Sequence, residues 1–566
     1  MTVGLVGSGP AVDAVGAALA DVDAETTVVD PDAVATVTLA VAVGRVGDDV
    51  LATVDEHARE SALPWIAVEL GGVGGYPVVD AAVAGFAPET ACYQCLCGRV
   101  AANVDPEAEP TAAPPAHTAR FAGAVAGRAA ARHLAGEESA VFGTLREIPH
   151  AERPLLPLPG CSCGDDYVPS LDLTAVDRTL EESLALAERG LDERVGVVQE
   201  VGEAESVPAP YYLAQTCDTT GFSDATAARN GAGVSPDWDA AFMKALGEGY
   251  ERYCAGVYRT ADLREGPPAE VADAVPPADF VRPEDGDEAS IRWVEGRDLH
   301  ADATVSLPAE LVHYPPATER LRPAITTGLG LGNGGVEATL SGLYEVIERD
   351  AAMLSWYSTF DPIELDVEDE GYRTLARRAR VADLSVSALL LTQDVDVPVV
   401  AAVVHREEWP RFAVGSGANL DAGAAARGAL AEALQNWMEL RSMGREAAPD
   451  ASGEIGHYAD APDDANRFLS VDTVASASTV GPTDVPAGEA ELAEVLDRVA
   501  AADLTAYAAP TTTRDVAALG FEAVRVVVPA AQPLFFGDPY FGDRAETVPV
   551  ELGFEPAPDR RHHPFP

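Results

Sequence analysis

The chain has 566 residues, which is too long for one hydrophobic core, so two or three domains are expected. It carries 38 basic and 92 acidic residues, a formal charge of −54, while 47% of its residues are apolar. The apolar fraction excludes a chain too polar to collapse, and the negative charge argues against unaided binding to nucleic acid. No apolar run reaches the roughly 18 to 20 residues of a membrane span, and the amino terminus lacks the basic region of a signal peptide. We therefore expect a cytoplasmic protein without membrane or nucleic-acid partners.

The carboxylates are spread along the whole chain, and Lys244 is the only lysine; every other basic residue is an arginine. This composition is typical of a protein adapted to molar salt, where the Debye length falls to about 3 Å and self-repulsion is screened. An acidic protein that binds cationic partners is the alternative.

Residues 1–165 predict alternating strands and helices. The predicted elements in chain order are strand Val3–Val6, a helix through Ala20, strand Thr26–Val29, and strands at 36–43 and 65–70. A Gly7-Ser8-Gly9 turn between strand and helix, with Asp30 about 20 positions on, is typical of a dinucleotide-binding Rossmann unit. Val12 occupies the third glycine position, so a purely structural Rossmann-like unit is an equal alternative.

The rest of the chain forms a second unit, residues 181–566, after a linker at 166–180. A helix from Val176 to Arg189 is predicted where this unit begins. Proline-, glycine- and acid-rich composition predicts loops at 104–115 and 153–166, and surface insertions at 264–286 and 448–464. No internal repeat of fixed period is evident.

Four of the seven cysteines form a CxxC and a later CxC, Cys92, Cys95, Cys161 and Cys163. Two such hairpins can supply the four thiolates of a structural Zn²⁺ site, and Cys97 is a spare ligand. A redox CxxC is the alternative, but it needs a helix that begins inside the motif, which Gly98 and Arg99 do not indicate. Cys217 and Cys254 are expected in the core.

Three segments carry acidic or amide side chains at helical spacing. They are Ala245–Arg252 with Glu248 and Glu251, 337–350 with Glu337, Glu345 and Glu348, and Ala429–Arg441 with Glu432 and Gln435. A glycine-rich stretch precedes each segment, at 230–235, 328–335 and 415–417, where backbone N–H groups can approach a phosphate. The pattern favours one shared site for a nucleotide and its Mg²⁺ ions, since several carboxylates in one pocket need cations between them. Solvated helix faces are the alternative.

These motifs resemble those of the YcaO family. Glu248-x-x-Glu251-Arg252 matches the SxxExxER signature, with Ala245 at the serine position. Further matches in order are Asn333, Glu337, Glu345, Glu348 with its ERD tail, Trp356, Glu432, Gln435, and a proline-containing carboxyl terminus ending at Pro566. Residues 1–165 resemble the E1-like domain of fused, SagD-like azoline-forming cyclodehydratases, whose zinc cysteines match the four named above. The resemblance implies an α/β Rossmann/E1-like domain with structural zinc, followed by an α+β YcaO domain.

The resemblance also implies an activity. ATP binds with Mg²⁺ held by Glu248, Glu251, Glu337, Glu345 and Glu348, and drives attack on a peptide-backbone amide. Cys, Ser or Thr side chains of a ribosomally made peptide then give thiazolines or oxazolines. Thioamidation of a protein target and a non-catalytic binding scaffold are the alternatives. Candidate phosphate-contacting or catalytic residues are Arg252, Arg349, Arg441, Arg445 and the terminal Pro566.

Three departures from the family pattern stand out. Ala232 replaces the lysine of the usual GKG turn, and His562 replaces a terminal proline. No winged-helix leader-binding module precedes the first strand, so we expect a separate leader-binding or sulfur-delivery protein besides the precursor peptide. A flavin dehydrogenase and a second copy of the chain, as a homodimer, are further expected partners. Lys244, one helical turn before Glu248, is expected either to reach a phosphate or to form an i,i+4 ion pair.

Overall fold

The computed structural model describes residues 2–105, 114–137, 140–164, 167–283, 290–451, 453–471 and 473–566. Most of the loop predicted at 104–115 lies outside these ranges. Within them, no helix is both long and apolar enough to cross a membrane.

The first region is built on a seven-stranded sheet. Its strands are β1 (Thr2–Val6), β2 (Glu25–Val28), β3 (Leu39–Arg45), β4 (Trp65–Leu70), β5 (Ala81–Phe86), β6 (Thr144–Ile148) and β7 (Ala151–Pro154). The order is β2-β1-β3-β4-β5-β6-β7; the first four strands run parallel and the rest pair antiparallel. Four helices accompany the sheet, α1 (Pro10–Ala20), α2 (Val50–Glu60), α3 (Tyr93–Asn103) and α4 (Ala116–Leu134). The mixed α/β architecture is confirmed, and β5 to β7 extend it beyond the predicted strands.

The glycine turn after β1 has a packing role. Gly7 has φ +100°, and a Cβ there would lie 2.6 Å from the carbonyl oxygen of Val43 in β3. Only glycine therefore allows the chain to leave β1 beside its neighbouring strand.

The second region contains three further sheets. Their strands are β8 (Val198–Glu205), β9 (Tyr211–Thr216), β10 (Asn230–Val234), β11 (Arg264–Gly266), β12 (Ile291–Asp298), β13 (Ala303–Pro308), β14 (Leu329–Gly332), β15 (Ile363–Asp366), β16 (Ser385–Leu390), β17 (Val399–His405), β18 (Phe412–Ala418), β19 (Val474–Ser476), β20 (Tyr507–Pro510) and β21 (Glu522–Val527). The sheet orders are β10-β9-β8, then β11-β12-β20-β21-β14 with β13 beside β12, and β18-β17-β16-β15-β19.

Eleven helices of this region lie in the described residues. They are α5 (Leu180–Ala187), α6 (Trp238–Gly256), α7 (Ala309–Val312), α8 (Gly335–Trp356), α9 (Glu370–Val381), α10 (Ala422–Met443), α11 (Ile455–Tyr458), α12 (Asn466–Leu469), α13 (Glu489–Ala501), α14 (Arg514–Leu519) and α15 (Arg544–Glu551). The three predicted acidic segments fall on α6, α8 and α10, so their helical character is confirmed.

Three strand–helix units, β10–α6, β14–α8 and β18–α10, share one packing geometry. In each unit a strand glycine lies against a carbonyl oxygen of the following helix, eight positions later in the chain. A Cβ on the glycine would lie 2.1 Å from that oxygen for Gly233 and Ala241, 2.1 Å for Gly330 and Ala338, and 2.6 Å for Gly417 and Ala425. These glycines let the strand approach the helix backbone. This packing role adds to the expectation that the glycine-rich stretches bring backbone N–H groups close to a phosphate, which stays a prediction.

Several predicted boundaries need correction. The helix expected from Val176 begins at Leu180, because Thr179 caps it through a reciprocal capping box with Glu182. The predicted surface insertions 264–286 and 448–464 contribute buried side chains within their described parts, among them Val271, Val275, Phe280, Tyr458 and Ala459.

The two regions share a buried interface. Arg99 of α3 is fully buried and forms an ion pair with Asp515 of α14. The Tyr253 hydroxyl of α6 donates to the same Asp515 carboxylate at 2.7 Å and lies 3.4 Å from the Arg99 guanidinium. Cys217 and Cys254 are buried nearby, as expected for core residues. The first region is thus tied directly to the helix that carries Glu248 and Glu251.

Candidate active site and cysteine cluster

A cavity of about 670 Å³ lies where the three strand–helix units meet. Its charged lining residues are Lys244, Glu248, Glu251, Arg252, Glu345, Glu348, Arg349, Arg427 and Glu432. A second cavity of about 370 Å³ shares Lys244, Glu248, Glu251 and Ser341 with the first. The second cavity adds Asn333 and Glu337. All the sequence-predicted glutamates of the acidic motifs therefore line one of two adjoining spaces.

The first carboxylate pair comes from α6. Glu248 accepts a hydrogen bond from the backbone N–H of Ala232 at 2.8 Å and one from Arg252 at 3.0 Å. Glu251 is more deeply placed, and burial raises its pKa to about 8, with Arg252 opposing and Glu345 adding to the shift. A buried carboxyl near other carboxylates is a site where a cation would be stabilised.

The second pair comes from α8. Glu345 accepts from the backbone N–H of Gly328 at 3.0 Å. Glu348 accepts from the Ser416 hydroxyl at 2.7 Å, and burial raises its pKa to about 7. The Arg349 guanidinium lies 3.4 Å from Glu348 and compensates part of the negative charge.

The fifth carboxylate of the larger cavity, Glu432 of α10, belongs to the same cluster. It accepts from the backbone N–H of Ser416 at 2.5 Å and lies 3.3 Å from Arg349. Arg349 also donates to the Ser416 hydroxyl at 3.0 Å. Ser416 and Arg349 therefore connect the carboxylates of α8 and α10.

Glu337 is held in a different way. It accepts from both the backbone N–H and the side-chain amide of Asn333, at 2.8 and 2.9 Å. The Asn333 amide oxygen in turn accepts from the Ser183 hydroxyl at 2.8 Å. Asn333 thus orients Glu337 at the edge of the smaller cavity.

Four predicted site residues lie outside the lining of both cavities. Gln435 donates to Glu439, Arg441 pairs with Glu205 and stacks on Trp437, and Arg445 pairs with Asp460 on the surface. Pro566 ends a docked tail in which Phe565 is buried and His563 lies 2.8 Å from the Phe535 carbonyl oxygen. None of the four is among the residues that line the two cavities.

The cavity also contains residues that the sequence motifs missed. Arg427 and Gly428 line it because α10 begins at Ala422, seven residues before the predicted segment. Ser416 lines it from β18. The sequence signal for Ser416 is its position between Gly415 and Gly417, in the glycine-rich stretch before the third acidic segment.

The donor set fits Mg²⁺ and a polyphosphate. Carboxylate oxygens are preferred Mg²⁺ ligands, and Mg²⁺ is commonly shared between protein carboxylates and substrate phosphates. The arginines in the same space, Arg252, Arg349 and Arg427, suit phosphate oxygens. Together the fold and the cavity define a class of protein that binds a nucleoside triphosphate with magnesium.

The cysteine cluster forms a separate site in the first region. One sulfur from each of Cys92, Cys95, Cys161 and Cys163 lies within 4.8 Å of the others. The closest sulfur–sulfur distances are 3.4 Å, between Cys95 and Cys163, and 3.6 Å, between Cys92 and Cys161. The expectation that no helix begins inside the CxxC is wrong, since α3 starts at Tyr93. The pairs nevertheless converge, which favours a four-thiolate metal site over an isolated redox pair.

Two arginines lie beside the cysteine cluster. Arg514 of α14 donates to the Cys163 sulfur at 3.1 Å, and Arg59 of α2 donates to the Ser162 hydroxyl at 3.0 Å. Hydrogen bonds from the other cysteines, and to a lesser degree from Arg514, lower the pKa of Cys163. The surroundings of Cys163 therefore favour its thiolate, the form that binds a metal, whereas hydrogen bonds with the neighbouring cysteines and burial raise the pKa of Cys92 and Cys95.

Residues 230–532 match the family model described as YcaO cyclodehydratase, ATP- and Mg²⁺-binding. This match covers more than half of the chain, so the protein belongs to the YcaO family. The cavity carboxylates Glu248, Glu251, Glu345, Glu348 and Glu432 all fall within the matched residues.

Solved structures support the fold. A heterocyclase in complex with substrate and cofactor is 22% identical, covers 100% of this chain and 85% of that one, and gives a TM-score of 0.75. The heterocyclase TruD is 20% identical, with 98% and 81% covered and a TM-score of 0.68. YcaO from Methanopyrus kandleri, bound with AMPPCP and Mg²⁺, is 27% identical, with 63% and 92% covered and a TM-score of 0.50.

A curated relative, an uncharacterized protein of Methanothermobacter thermautotrophicus, is 30% identical over 203 residues. The alignment covers 34% of this chain and 53% of that protein. An uncharacterized protein in the tfuA 3′ region of Rhizobium leguminosarum bv. trifolii is 29% identical over 168 residues, 26% of this chain and 39% of that protein. The chain thus spans about half, or less, of the curated relatives that it matches.

Proposed function

We propose that this protein uses ATP and Mg²⁺ to activate backbone amides of a ribosomally made peptide and forms thiazolines or oxazolines from its Cys, Ser or Thr residues. The observation that carries the proposal is the convergence of Glu248, Glu251, Glu345, Glu348 and Glu432 on one cavity in a chain of the YcaO family. The fold match to a substrate-bound heterocyclase is consistent with it.

The proposed reaction balances without an external oxidant. A substrate thiol or hydroxyl gives up its proton to solvent and adds to the preceding carbonyl carbon, and the resulting oxyanion takes the γ-phosphoryl group while ADP leaves. Phosphate then departs with the electron pair of its C–O bond as the amide nitrogen loses its proton, giving the C=N bond. The net change in the peptide is the loss of one water.

The cavity residues have distinct proposed tasks. Bound Mg²⁺ would neutralise phosphate charge, as it does in other phosphoryl-transfer sites. Glu248, Glu251, Glu345 and Glu348 would supply its ligands in the larger cavity, and Glu337 would supply one from the smaller cavity. Arg252 and Arg349 already contact these carboxylates, so they stand where charge on a transferring phosphoryl group needs compensation. Arg441, Arg445, Gln435 and Pro566 remain candidates that would need to approach when the peptide binds.

The test is product analysis with the full chain in high salt. Short peptides rich in Cys, Ser and Thr, chosen from reading frames beside the gene, are incubated with ATP and Mg²⁺. Loss of one water per heterocycle, matched by equal ADP and phosphate release, supports the proposal. Exchange of an amide oxygen for sulfur when sulfide is added would identify thioamidation instead. Failure to bind ATP with Mg²⁺ by calorimetry would overturn both and leave a binding scaffold.

We further propose that the first region, residues 1–165, is a Rossmann-type E1-like domain holding one structural Zn²⁺ through its four clustered cysteines. Four protein ligands leave no open position for chemistry at such a site. Arg514 donates from the second region to Cys163, so the site would also stabilise the contact between domains. Metal analysis of purified protein tests this, with one zinc per chain expected and less after Cys92→Ser in the presence of a chelator.

We also propose the partners of the reaction. The peptide substrate would be presented by a separate leader-binding protein, and a flavin dehydrogenase would oxidise azolines to azoles. Thioamidation would need a sulfur-delivery protein instead. Size-exclusion chromatography with light scattering tests the proposed homodimer.

A further inference from the structure

Lys244 occupies a position shared by both cavities. It lies on α6, and its side chain is exposed to the space where the two cavities meet beside Glu248, Glu251 and Ser341. Its ammonium donates a hydrogen bond to the backbone carbonyl of Val234 at 3.2 Å. A ligand that occupied both cavities would lie beside Lys244.

The ammonium has no carboxylate partner among the described residues. The i,i+4 ion pair with Glu248 that the sequence allows is not formed there; Glu248 is bound instead by the Ala232 N–H and Arg252. In a chain with 92 acidic residues this is an unusual condition for a cation facing a cavity. An ammonium that lacks a protein anion is free to bind an anionic ligand.

The groups around Lys244 have mixed charge. The surrounding protein and the nearby Arg427 guanidinium lower its pKa, while Glu432 favours the charged form. Arg427 lies on α10 and pairs with Asp369 at 2.6 Å. Two cations from two helices therefore line a space that is also lined by carboxylates of α6, α8 and α10, an arrangement that suits a polyphosphate bridged to metal ions.

Close packing fixes the start of the Lys244 side chain. A Cβ at Gly233 would lie 3.0 Å from the Lys244 Cβ and even closer to the α6 backbone, so β10 packs directly on this turn of the helix. The side chain then lines the cavity. Lys244 is the one lysine in a chain whose other basic residues are arginines, and its compact ammonium can bind a phosphate in ways that a planar guanidinium does not.

We propose that Lys244 binds the polyphosphate of the nucleoside triphosphate at the junction of the two cavities. The inference rests on the proposed function, because it takes the nucleotide to occupy this space. Lys244 would thus add a phosphate-binding group outside the acidic motifs. It precedes Glu248, the first glutamate of those motifs, by one turn of α6.

The composition of the chain provides a direct test. An acyl-phosphate derivative of ATP acylates amines that lie close to the bound phosphates. Lys244 carries the only side-chain amine of the chain, so this reagent can label two groups, Lys244 and the α-amino group. The full-length protein is labelled in high salt and digested for mass spectrometry. Labelling at Lys244 that excess ATP with Mg²⁺ suppresses at least tenfold is expected. Labelling confined to the amino terminus, or unaffected by ATP, would overturn the proposal.

Variants supply the quantitative test. Lys244→Ala and Lys244→Arg are expected to weaken ATP binding in calorimetry at least tenfold, about 1.4 kcal/mol. Arg373→Ala, which removes an exposed cation on α9, is the matched control and should bind as the parent does. Thermal melting confirms that each variant is folded.

The outcomes distinguish a failure of the role proposed for Lys244 from a failure of the proposed function. If the parent binds ATP with Mg²⁺ and Glu345→Gln abolishes binding while both Lys244 variants bind normally, the role of Lys244 fails and the proposed function stands. If neither the parent nor any variant binds ATP, the proposed function fails as well.

Discussion

The cysteine cluster and the carboxylate cavity both gather potential metal ligands, but they do so in opposite ways. The four sulfurs lie within 4.8 Å of one another, so they can all reach one ion. In the cavity, Glu248, Glu345 and Glu432 are each held by a backbone N–H of the strand region before their helix. Their oxygens therefore border a space of about 670 Å³ and do not converge on one point.

This difference teaches what each site can do. A closed set of four ligands can hold one ion and leaves it no free position, so it stabilises structure. Carboxylates held apart by the backbone and by Arg349 leave room for ions and for the substrate that those ions contact. The geometry of the ligands, more than their number, separates a structural site from a catalytic one.

The variant Glu345→Gln tests most directly whether the cavity carboxylates form a catalytic metal site. The change keeps the size of the side chain but removes one charge that we assign to Mg²⁺. ATP turnover should fall about 10²- to 10³-fold, the usual cost of losing one electrostatic contact to a transition state. Steady-state phosphate release measures it, and Glu368→Gln on the exposed surface is the control. Turnover within threefold of the parent would remove Glu345 from the machinery.

Cys92→Ser addresses the other site. A hydroxyl in place of one thiolate breaks the closed ligand set, so zinc affinity should fall at least about 100-fold. Competition with a chromophoric chelator measures the affinity. Cys217→Ser, a buried cysteine outside the cluster, is the control and should retain zinc. Equal zinc retention by both variants would contradict the assigned ligands.

Arg514→Ala tests whether the cysteine site is also an interface site. Removing the hydrogen bond to Cys163 should lower zinc affinity about tenfold, within the range for residues that contact metal ligands. Because Arg514 comes from the second region, the variant should also expose the contact between regions to limited proteolysis. Unchanged zinc affinity together with an unchanged cleavage pattern would show that the contact is incidental.

The smallest expected effect is in pH dependence. Burial raises the pKa of Glu251 to about 8 and that of Glu348 to about 7, against about 4.5 in an unfolded chain. The folded state therefore holds protons that the unfolded state has lost, so without Mg²⁺ the stability falls as pH rises from about 4.5 to 8. Mg²⁺ competes with these protons, so its affinity should rise by up to about tenfold between pH 6 and 7.

Melting temperatures with and without MgCl₂ across pH 5 to 9 measure this effect. Without MgCl₂, the melting temperature of Glu251→Gln should fall less with rising pH than that of the parent, because this variant lacks one carboxyl whose pKa is raised by burial. An identical pH profile for the parent and the variant would show that Glu251 does not titrate in this range.

The sequence predicted the cavity carboxylates better than their surroundings. Acids at helical spacing identified Glu248, Glu251, Glu345 and Glu348 because helix periodicity is a local property. The approach of these helices depends on β10, β14 and β18, whose glycines serve close packing. These units repeat in space but at unequal intervals along the chain, which is why no fixed period was evident.

Other features depend on tertiary structure that spacing does not encode. Ser416 connects Glu348 and Glu432 only because β18 lies beside α8. Arg427 enters the cavity because α10 begins earlier than its polar pattern indicated. The cysteines were predicted to converge and do so, although the helix that starts at Tyr93 was judged absent.

The ion pair between Arg99 and Asp515 also has a consequence for how the chain is made. The two residues are separated by 416 positions, and the Arg99 side chain is fully buried once paired. At about 5 to 20 residues per second, a ribosome needs roughly 20 to 80 s to travel from one codon to the other. Throughout that interval the nascent α3 presents an unpaired cation, so the first region leaves the ribosome with a surface that only the last-made part of the chain completes.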